Sequence, residues 1–493
     1  MNTKANAMIP QHVIEEATEW AIMHGVAFRQ ADNTARHCPF SIAPMTMKRE
    51  VYAHLRKVTP LITKLISNLS EDHDFLQSSL QDMAKADPFF GRLLALHQQA
   101  HGDKNQRLTP ARTPLLLMRT DFMDDRQHGA KVIEFNGIAA GMAPFGQRAT
   151  EFHAFMANQW PAVYRTWSET SSENSPATPA DNQGLEQLAY GIAQAAKKVQ
   201  AKFTADTPQS KPTFLMVIQA NEDNVYDQHL LEIALQKKGF RTVRRTFEQL
   251  STQLATGDNQ RLILEGVGAI DVVYLRAGYQ YADYYSPERN ESVCCQTLSQ
   301  TRLFIEQHHV AMNATIGQQL ATSKTIQMLL TIMPAQDYLR WGLTLEEALL
   351  VKSVLAEMKP VNNNTITWFN TQADKQQWVL KNQGEGGGHC IFGDDISEKL
   401  NQLVPEEYDA WALMLRLHPH ERETPTMAVR DGEQTQIDDL VSEIGLFTAY
   451  YNGEPVTESD GYAGYLIRSK PASENEGGIH SGKGILDSLS LID

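Results

Sequence analysis

The sequence predicts an α/β (α+β) protein with mixed sheets. Three observations carry that reading: amphipathic helical patterns near the N-terminus, a strand, helix, strand succession in the middle, and short apolar runs ending in paired polar residues. Pro10 opens a segment in which Val13, Ile14, Ala17 and Ala21 recur at helical spacing, and Gly25 can close it. A second helical pattern passes through Val51, Leu55, Val58, Ile62, Leu65 and Leu69, with Pro60 expected to kink it because proline has no N–H to give the ladder. Between Ser168 and Gly184 the chain is poor in apolar residues and rich in Ser, Thr and Pro, the composition of a mobile surface connection.

The next segment has an apolar run at 214–218, then a helix through Leu230, Leu231, Ala234 and Leu235 closed by Gly239. Further strands at 242–246 and 270–275 make 211–309 a parallel α/β unit. Arg276 then falls just past the carboxyl end of a strand, where open sheets of this type bind ligands. Shorter strands are expected at 378–381 and 412–417, and no internal repeat is present.

At 493 residues, 42% of them hydrophobic, the chain has material for a large core divided between two or three substructures. Acidic residues outnumber Lys and Arg by 59 to 44, for a formal charge of −15, and the cations are scattered. Nucleic acid would be repelled. Cys38, Cys294, Cys295 and Cys390 show no metal-site or disulfide spacing, the pattern of a reducing compartment. The first ten residues lack a signal design, and no stretch approaches the roughly 18 apolar residues that span a bilayer. A cytoplasmic location without membrane attachment is therefore expected.

The most informative segment is 379–390, where a β-type run ends in Lys381 and enters a loop with three consecutive glycines. Such a loop lets backbone N–H groups close over phosphate oxygens, Lys381 adds a point charge, and Glu385 can ligate a phosphate-bridging magnesium. A flexible surface turn is the competing reading. Glu134 and Asn136 follow Val132 and Ile133, so strand alternation puts them on one face, as a hard cation needs or as an ordinary strand edge would have them. Arg119 and Asp121 end one apolar run, and Arg468 and Lys470 another. Each pair fits a carboxylate or phosphate clamp, or equally a surface salt bridge. Residues 477–484 nearly spell a P-loop, but glycine stands where Ser or Thr should hold magnesium and no helix can follow before Asp493. A ligand-covering loop remains open. His418-Pro-His420-Glu421 reads as a polar loop, and neither a serine-hydrolase elbow nor Rossmann glycine spacing is present.

In this order the segments resemble the eukaryotic type of glutathione synthetase, an ATP-grasp family with permuted chain order. The resemblance rests on LMRTDFM (117–123), IEFNGI (133–138), NVYDQ (224–228), VRRTFE (243–248), VVYLRAGY (272–279), VLKNQGEGGG (379–388), VSEIGLF (441–447), and LIRSK with EGG (466–470, 476–478). It implies an ATP-grasp body at 1–167 and 310–493 with a glycine-rich lid at roughly 370–415, a linker at 168–184, and a substrate subdomain at 205–309. It also implies that Glu134, Asn136 and Glu385 hold magnesium, two ions per site. Lys324, Lys381 and Lys470 would bind ATP phosphates, with Gly386, Gly387 and Gly388 closing over them and Met414, Leu417, Glu443 and Glu476 at the nucleoside. Arg119, Asn224, Gln228, Arg276 and Tyr279 would grip the peptide, and Arg468 would face its reacting carboxylate. Lys381 and Lys470 would join Arg468 in catalysis.

The implied activity is ATP-dependent ligation of γ-glutamylcysteine to glycine through an acyl phosphate, by a homodimer. A sister ligase with another γ-glutamyl peptide or amine is the enzyme alternative, and a non-catalytic nucleotide-binding regulatory protein the alternative of another class. The chain departs from the family pattern at Ala139, Ala140 and Gly141, where hydroxyl side chains usually contact the dipeptide. It departs again at Ile479-His480 in the loop framing the amine, and at Phe392, where the family has tyrosine.

Overall fold

The computed structural model describes residues 8–103, 105–168, 177–203, 211–287, 296–384, 390–475, 477–480 and 482–493. Helix α1 (Gln11–Met23) buries Val13, Ile14, Ala17 and Ala21, and Gly25 takes the left-handed φ of 77° just after its end. Helix α2 (Arg49–Leu69) runs through Pro60 as one element. Leu55, Val58, Ile62, Leu65 and Leu69 are fully buried along it, so packing carries the helix past the one backbone bond that proline removes. Two helices come next, α3 (His73–Leu80) and α4 (Pro88–His101), each started by an aspartate whose carboxylate accepts backbone N–H groups of the first turn.

The spine of the molecule is β1 (Thr113–Asp125), a 13-residue strand. Its outer half pairs antiparallel with β2 (Gly129–Asn136), and helix α5 (Ala143–Gln159) comes after. The middle of the chain supplies β3 (Thr213–Val217), α6 (Val225–Lys237), β4 (Arg241–Arg245), β5 (Val272–Leu275) and β6 (Ala311–Asn313), in the spatial order β6, β5, β3, β4 with every pairing parallel. This is the expected parallel unit, and it is not a separate sheet. β6 also pairs with Thr113 and Pro114 at the start of β1.

Helix α7 (Lys324–Ile332) leads to a four-stranded antiparallel sheet of β7 (Met358–Pro360), β8 (Trp378–Asn382), β9 (Cys390–Phe392) and β10 (Trp411–Leu415). The last long strands are β11 (Leu440–Tyr451), antiparallel to β1, and β12 (Tyr462–Pro471), antiparallel to β11. Parallel and antiparallel halves thereby form one 13-stranded sheet.

Of the segment expected as a connection, 169–176 lies outside the described residues. The stretch from Thr178 to Asn182 is docked: Thr178–Pro179 pairs with Leu491 and Ser490, and the Asn182 amide donates to the Tyr465 carbonyl at 2.8 Å. Composition does not signal this, because the anchoring partners lie near the end of the chain. No helix among the described residues is long and apolar enough to cross a membrane.

Helix α5 reaches the sheet at Gly146, where an added Cβ would stand 2.0 Å from the Tyr465 carbonyl oxygen. Because that neighbour is backbone in a central strand, Gly146→Ala is expected to lower stability by about 1–3 kcal/mol, read as a fall in the urea midpoint at unchanged slope. An unchanged midpoint would mean that helix and strand separate there at little cost.

Candidate active site

Alternation along three strands brings the charged pairs together. The register sets Arg119 opposite Asn136, Asp121 opposite Glu134, and Glu443 of β11 opposite Arg468 of β12. At the centre is Asp121, 0% exposed. Its carboxylate accepts from Arg119 Nε at 2.6 Å and Nη2 at 2.8 Å, from Arg468 Nη2 at 3.0 Å and from Asn136 Nδ2 at 3.1 Å. Gly445 of β11 makes room for this cluster, since a Cβ there would lie 2.7 Å from Arg119 Cδ and 2.8 Å from Asp121 Oδ1.

Around this centre the lysines converge from separate elements. Lys324, at the start of α7, donates to Glu134 Oε2 at 3.2 Å. Lys381, on β8, donates to the Ile133 carbonyl at 3.0 Å, and Lys470 donates to the Asn475 carbonyl at 2.7 Å with Glu443 Oε1 at 3.6 Å. Burial opposes the charge of Glu134, but Lys324, Lys381, Arg468 and Arg119 outweigh it and hold the carboxyl well below its usual range. Burial likewise opposes the charge of Arg468, and Glu443, Asp121 and Glu134 overcome it, so its guanidinium stays protonated.

These residues border a cleft of about 530 Å³ between the long sheet and the four-stranded sheet. Its two ends differ in chemistry. Met123, Ile133, Val379, Phe392, Met414 and Leu417 make one side apolar, while Arg119, Glu134, Lys381, Arg468 and Lys470 make the other charged. The charged side contains the groups that could hold a hard cation. The Asn136 amide nitrogen is engaged by Asp121, by the Arg119 carbonyl at 3.4 Å and by Glu134 at 3.4 Å, which leaves its oxygen for a ligand beside the ionised Glu134 carboxylate. This donor set fits magnesium.

Arg119, Glu134, Asn136, Lys381, Met414, Leu417, Glu443, Arg468, Lys470, Ile479 and His480 all line the cleft, and Lys324 joins them through Glu134. Glu385, Gly386, Gly387, Gly388 and Glu476 lie outside the described residues. Asn224, Gln228, Arg276 and Tyr279 are not among the residues that line the cleft. Arg276 connects to it through the loop after β2: Arg119 Nη1 donates to the Gly141 carbonyl at 3.1 Å, and a Cβ on Gly141 would lie 2.5 Å from Arg276 Nη1. The Asp227 carboxylate joins Arg276 at 2.9 Å to the Met142 N–H at 3.1 Å. Buried polar atoms without a hydrogen-bond partner among the described residues gather here, namely Asn224 Oδ1, Asp227 Oδ1, Gln228 Nε2 and Arg276 Nε.

Several contributors escape a reading of the sequence. Asp121 is visible there only as a strand neighbour of Arg119, and Asp227 is one undistinguished position inside the NVYDQ segment. Asp223 and Phe28 frame His480: its Nδ1 is 3.2 Å from Asp223 Oδ1, and its ring lies 4.2 Å from that of Phe28. No short-range pattern links three residues so far apart in the chain.

The family profile described as eukaryotic glutathione synthase, ATP binding domain, matches residues 8–491. The chloroplastic glutathione synthetase of Solanum lycopersicum is 27% identical over 99% of this chain and 85% of that protein. Glutathione synthetase of Homo sapiens is also 27% identical, over 97% of this chain and 96% of its own length. Among solved structures, a glutathione synthetase-like effector from Globodera pallida in its apo form shares the fold, with a TM-score of 0.70 over 98% of both chains at 17% identity. The profile spans both halves of the long sheet and every strand that borders the cleft, and the chain belongs to the eukaryotic glutathione synthase family.

Proposed function

We propose that the protein is a glutathione synthetase, an ATP- and magnesium-dependent ligase that joins γ-glutamylcysteine to glycine. The observation that carries this reading is the two-sided cleft, in which an apolar wall runs into the four cations around Glu134, namely Lys324, Lys381, Arg468 and Arg119. The family membership and the names of the relatives point to the same activity.

The chemistry accounts for that ensemble. A carboxylate and ATP repel one another, and a carboxylate acylates amines only after its oxygen becomes a better leaving group. In the proposed reaction the dipeptide carboxylate attacks the γ-phosphorus and ADP departs, leaving an acyl phosphate. The glycine amine then attacks the acyl carbon and inorganic phosphate leaves. Lys324, Lys381 and Lys470 would neutralise charge on the transferring phosphoryl group. Glu134, Asn136 and Glu385 would hold magnesium, which would supply Lewis acidity and charge neutralisation at the phosphates. Arg468 would stabilise the oxyanion formed on amine attack, and Asp121 with Glu443 keeps its guanidinium aimed at that point. Arg119, Arg276 and the polar atoms near Asn224 and Gln228 would receive the charged ends of the peptide. The loop holding Ile479 and His480 would close over the acceptor and exclude water from the acyl phosphate. A homodimer accompanies this reading through the family resemblance.

One observation favours a second reading on the acceptor side. His480 lines the cleft while held by Phe28 and Asp223, so in this reading a bulky imidazole would border the acceptor amine. A sister ligase with another small amine would use the same machinery.

Lys381→Ala and Glu134→Gln should each abolish ADP release with γ-glutamylcysteine and glycine while circular dichroism stays unchanged; near-normal turnover in either would remove the phosphate-site assignment. His480→Ala should change the ratio of kcat/KM between glycine and larger amines by about tenfold, of the order that a modest pocket contact provides, measured by mass detection of products across an amine panel. Asp121→Ala should lower stability by about 3–5 kcal/mol, because it leaves two buried guanidinium groups without their shared carboxylate; an unchanged denaturation midpoint would mean that water or Glu443 replaces it.

A further inference from the structure

Away from the cleft, α3 and α4 bring three histidines together. His73 begins α3, while His97 and His101 lie one turn apart on α4. The ring centroids are 5.0 Å apart for His73 and His97, 4.9 Å for His73 and His101, and 4.4 Å for His97 and His101. One ligand atom from each ring lies within 4.8 Å of the others.

The surroundings do not satisfy these rings. His73 Nδ1, His97 Nε2 and His101 Nε2 are buried without a hydrogen-bond partner among the described residues. Three imidazole nitrogens left unpaired side by side form a costly cluster unless one ligand binds them all. Gln77 Nε2 donates to the Leu94 carbonyl at 3.2 Å and lies 3.3 Å from His97 Nδ1, so Nε2 is the nitrogen that the His97 ring leaves unengaged.

Access also fits. His73 and His101 line a surface hollow of about 740 Å³, whose acids Glu71, Asp72 and Asp74 are paired with Arg112, Arg340 and Arg107. This hollow gives an ion a path in and leaves room for a water as fourth ligand. Arg112 stands nearby, paired with Glu71 and Glu306.

We propose that His73, His97 and His101 form a site for one transition-metal dication of the zinc class, separate from the catalytic cleft, that ties α3 to α4. Imidazole nitrogens suit zinc, whereas magnesium prefers oxygen and would not compete. Zinc–nitrogen bonds of about 2.0–2.1 Å require the three donors to draw together by small side-chain rotations, and His73, the partly exposed member, is the one with room to move.

The test uses the full-length protein, stripped with a chelator, dialysed into excess magnesium chloride and titrated with zinc chloride or cobalt chloride. The expected result is one equivalent of zinc bound, a raised melting temperature, and cobalt bands of a nitrogen-rich tetrahedral site without thiolate charge transfer. His73→Ala and His101→Gln should each lose that equivalent or weaken it by at least about tenfold, with ATP-dependent turnover unchanged. Absence of zinc binding, a full equivalent retained by both variants, or thiolate bands in the cobalt spectrum of the unmodified protein would each overturn the assignment. The cobalt spectrum needs no substitution, so the proposal stays decidable if a variant fails to fold.

Discussion

The structure depends on one buried carboxylate, Asp121, held between the guanidinium groups of Arg119 and Arg468. Removing three charges from water is expensive, and the arrangement persists because every charge has a partner at hydrogen-bond distance. Those partners are supplied by strand register. Arg119 and Asp121 share a face of β1, Asn136 sits opposite the first, and Arg468 arrives from β12 across β11. A slip of one residue in β1 would turn both charged side chains toward the other face and bring apolar neighbours into the cleft. The sheet that joins the two halves of the protein and the cluster that gives the cleft its chemistry are therefore one constraint.

That constraint explains how an acidic chain handles an acidic ligand. The formal charge is −15, yet the inner end of the cleft gathers Arg119, Lys324, Lys381, Arg468 and Lys470. These cations are held by Glu134, Asp121, Glu443 and backbone carbonyls. A polyphosphate would therefore exchange contacts with groups already oriented, at little reorganisation cost. The acids serve a second purpose as well. Asp121 and Glu443 fix the Arg468 guanidinium by two hydrogen bonds, so its direction does not depend on what else occupies the cleft.

Much of this is legible in the sequence where the physics is local. Alternation puts Glu134 with Asn136 and Arg468 with Lys470, and the strand, helix, strand rhythm of 211–309 announces the parallel unit. Pro60 removes one ladder bond from a helix that Leu55, Val58 and Ile62 anchor on both sides of it, so the helical pattern read from those residues holds across the proline. Asp121 does not stand out as a centre because its partners come from three strands, and pairing across a sheet is set by topology. The same holds for His480, whose orientation is decided by Phe28 and Asp223, far away in the chain. Glu385 and the triple glycine lie outside the described residues, so their role rests on the sequence resemblance.

The departure at 139–141 has a structural reading that the sequence could not offer. Ala139 and Met142 both take left-handed φ values, 50° and 74°, a costly conformation for residues with a Cβ. The loop is held in it by Arg119 donating to the Gly141 carbonyl and by Asp227 accepting from the Met142 N–H. With glycine at 141, the Arg276 guanidinium packs directly against the backbone, in the space that a hydroxyl-bearing side chain would fill. A side chain at 141 would therefore have to displace the Arg276 guanidinium, which Asp227 holds in place, so the glycine and the buried ion pair specify one another.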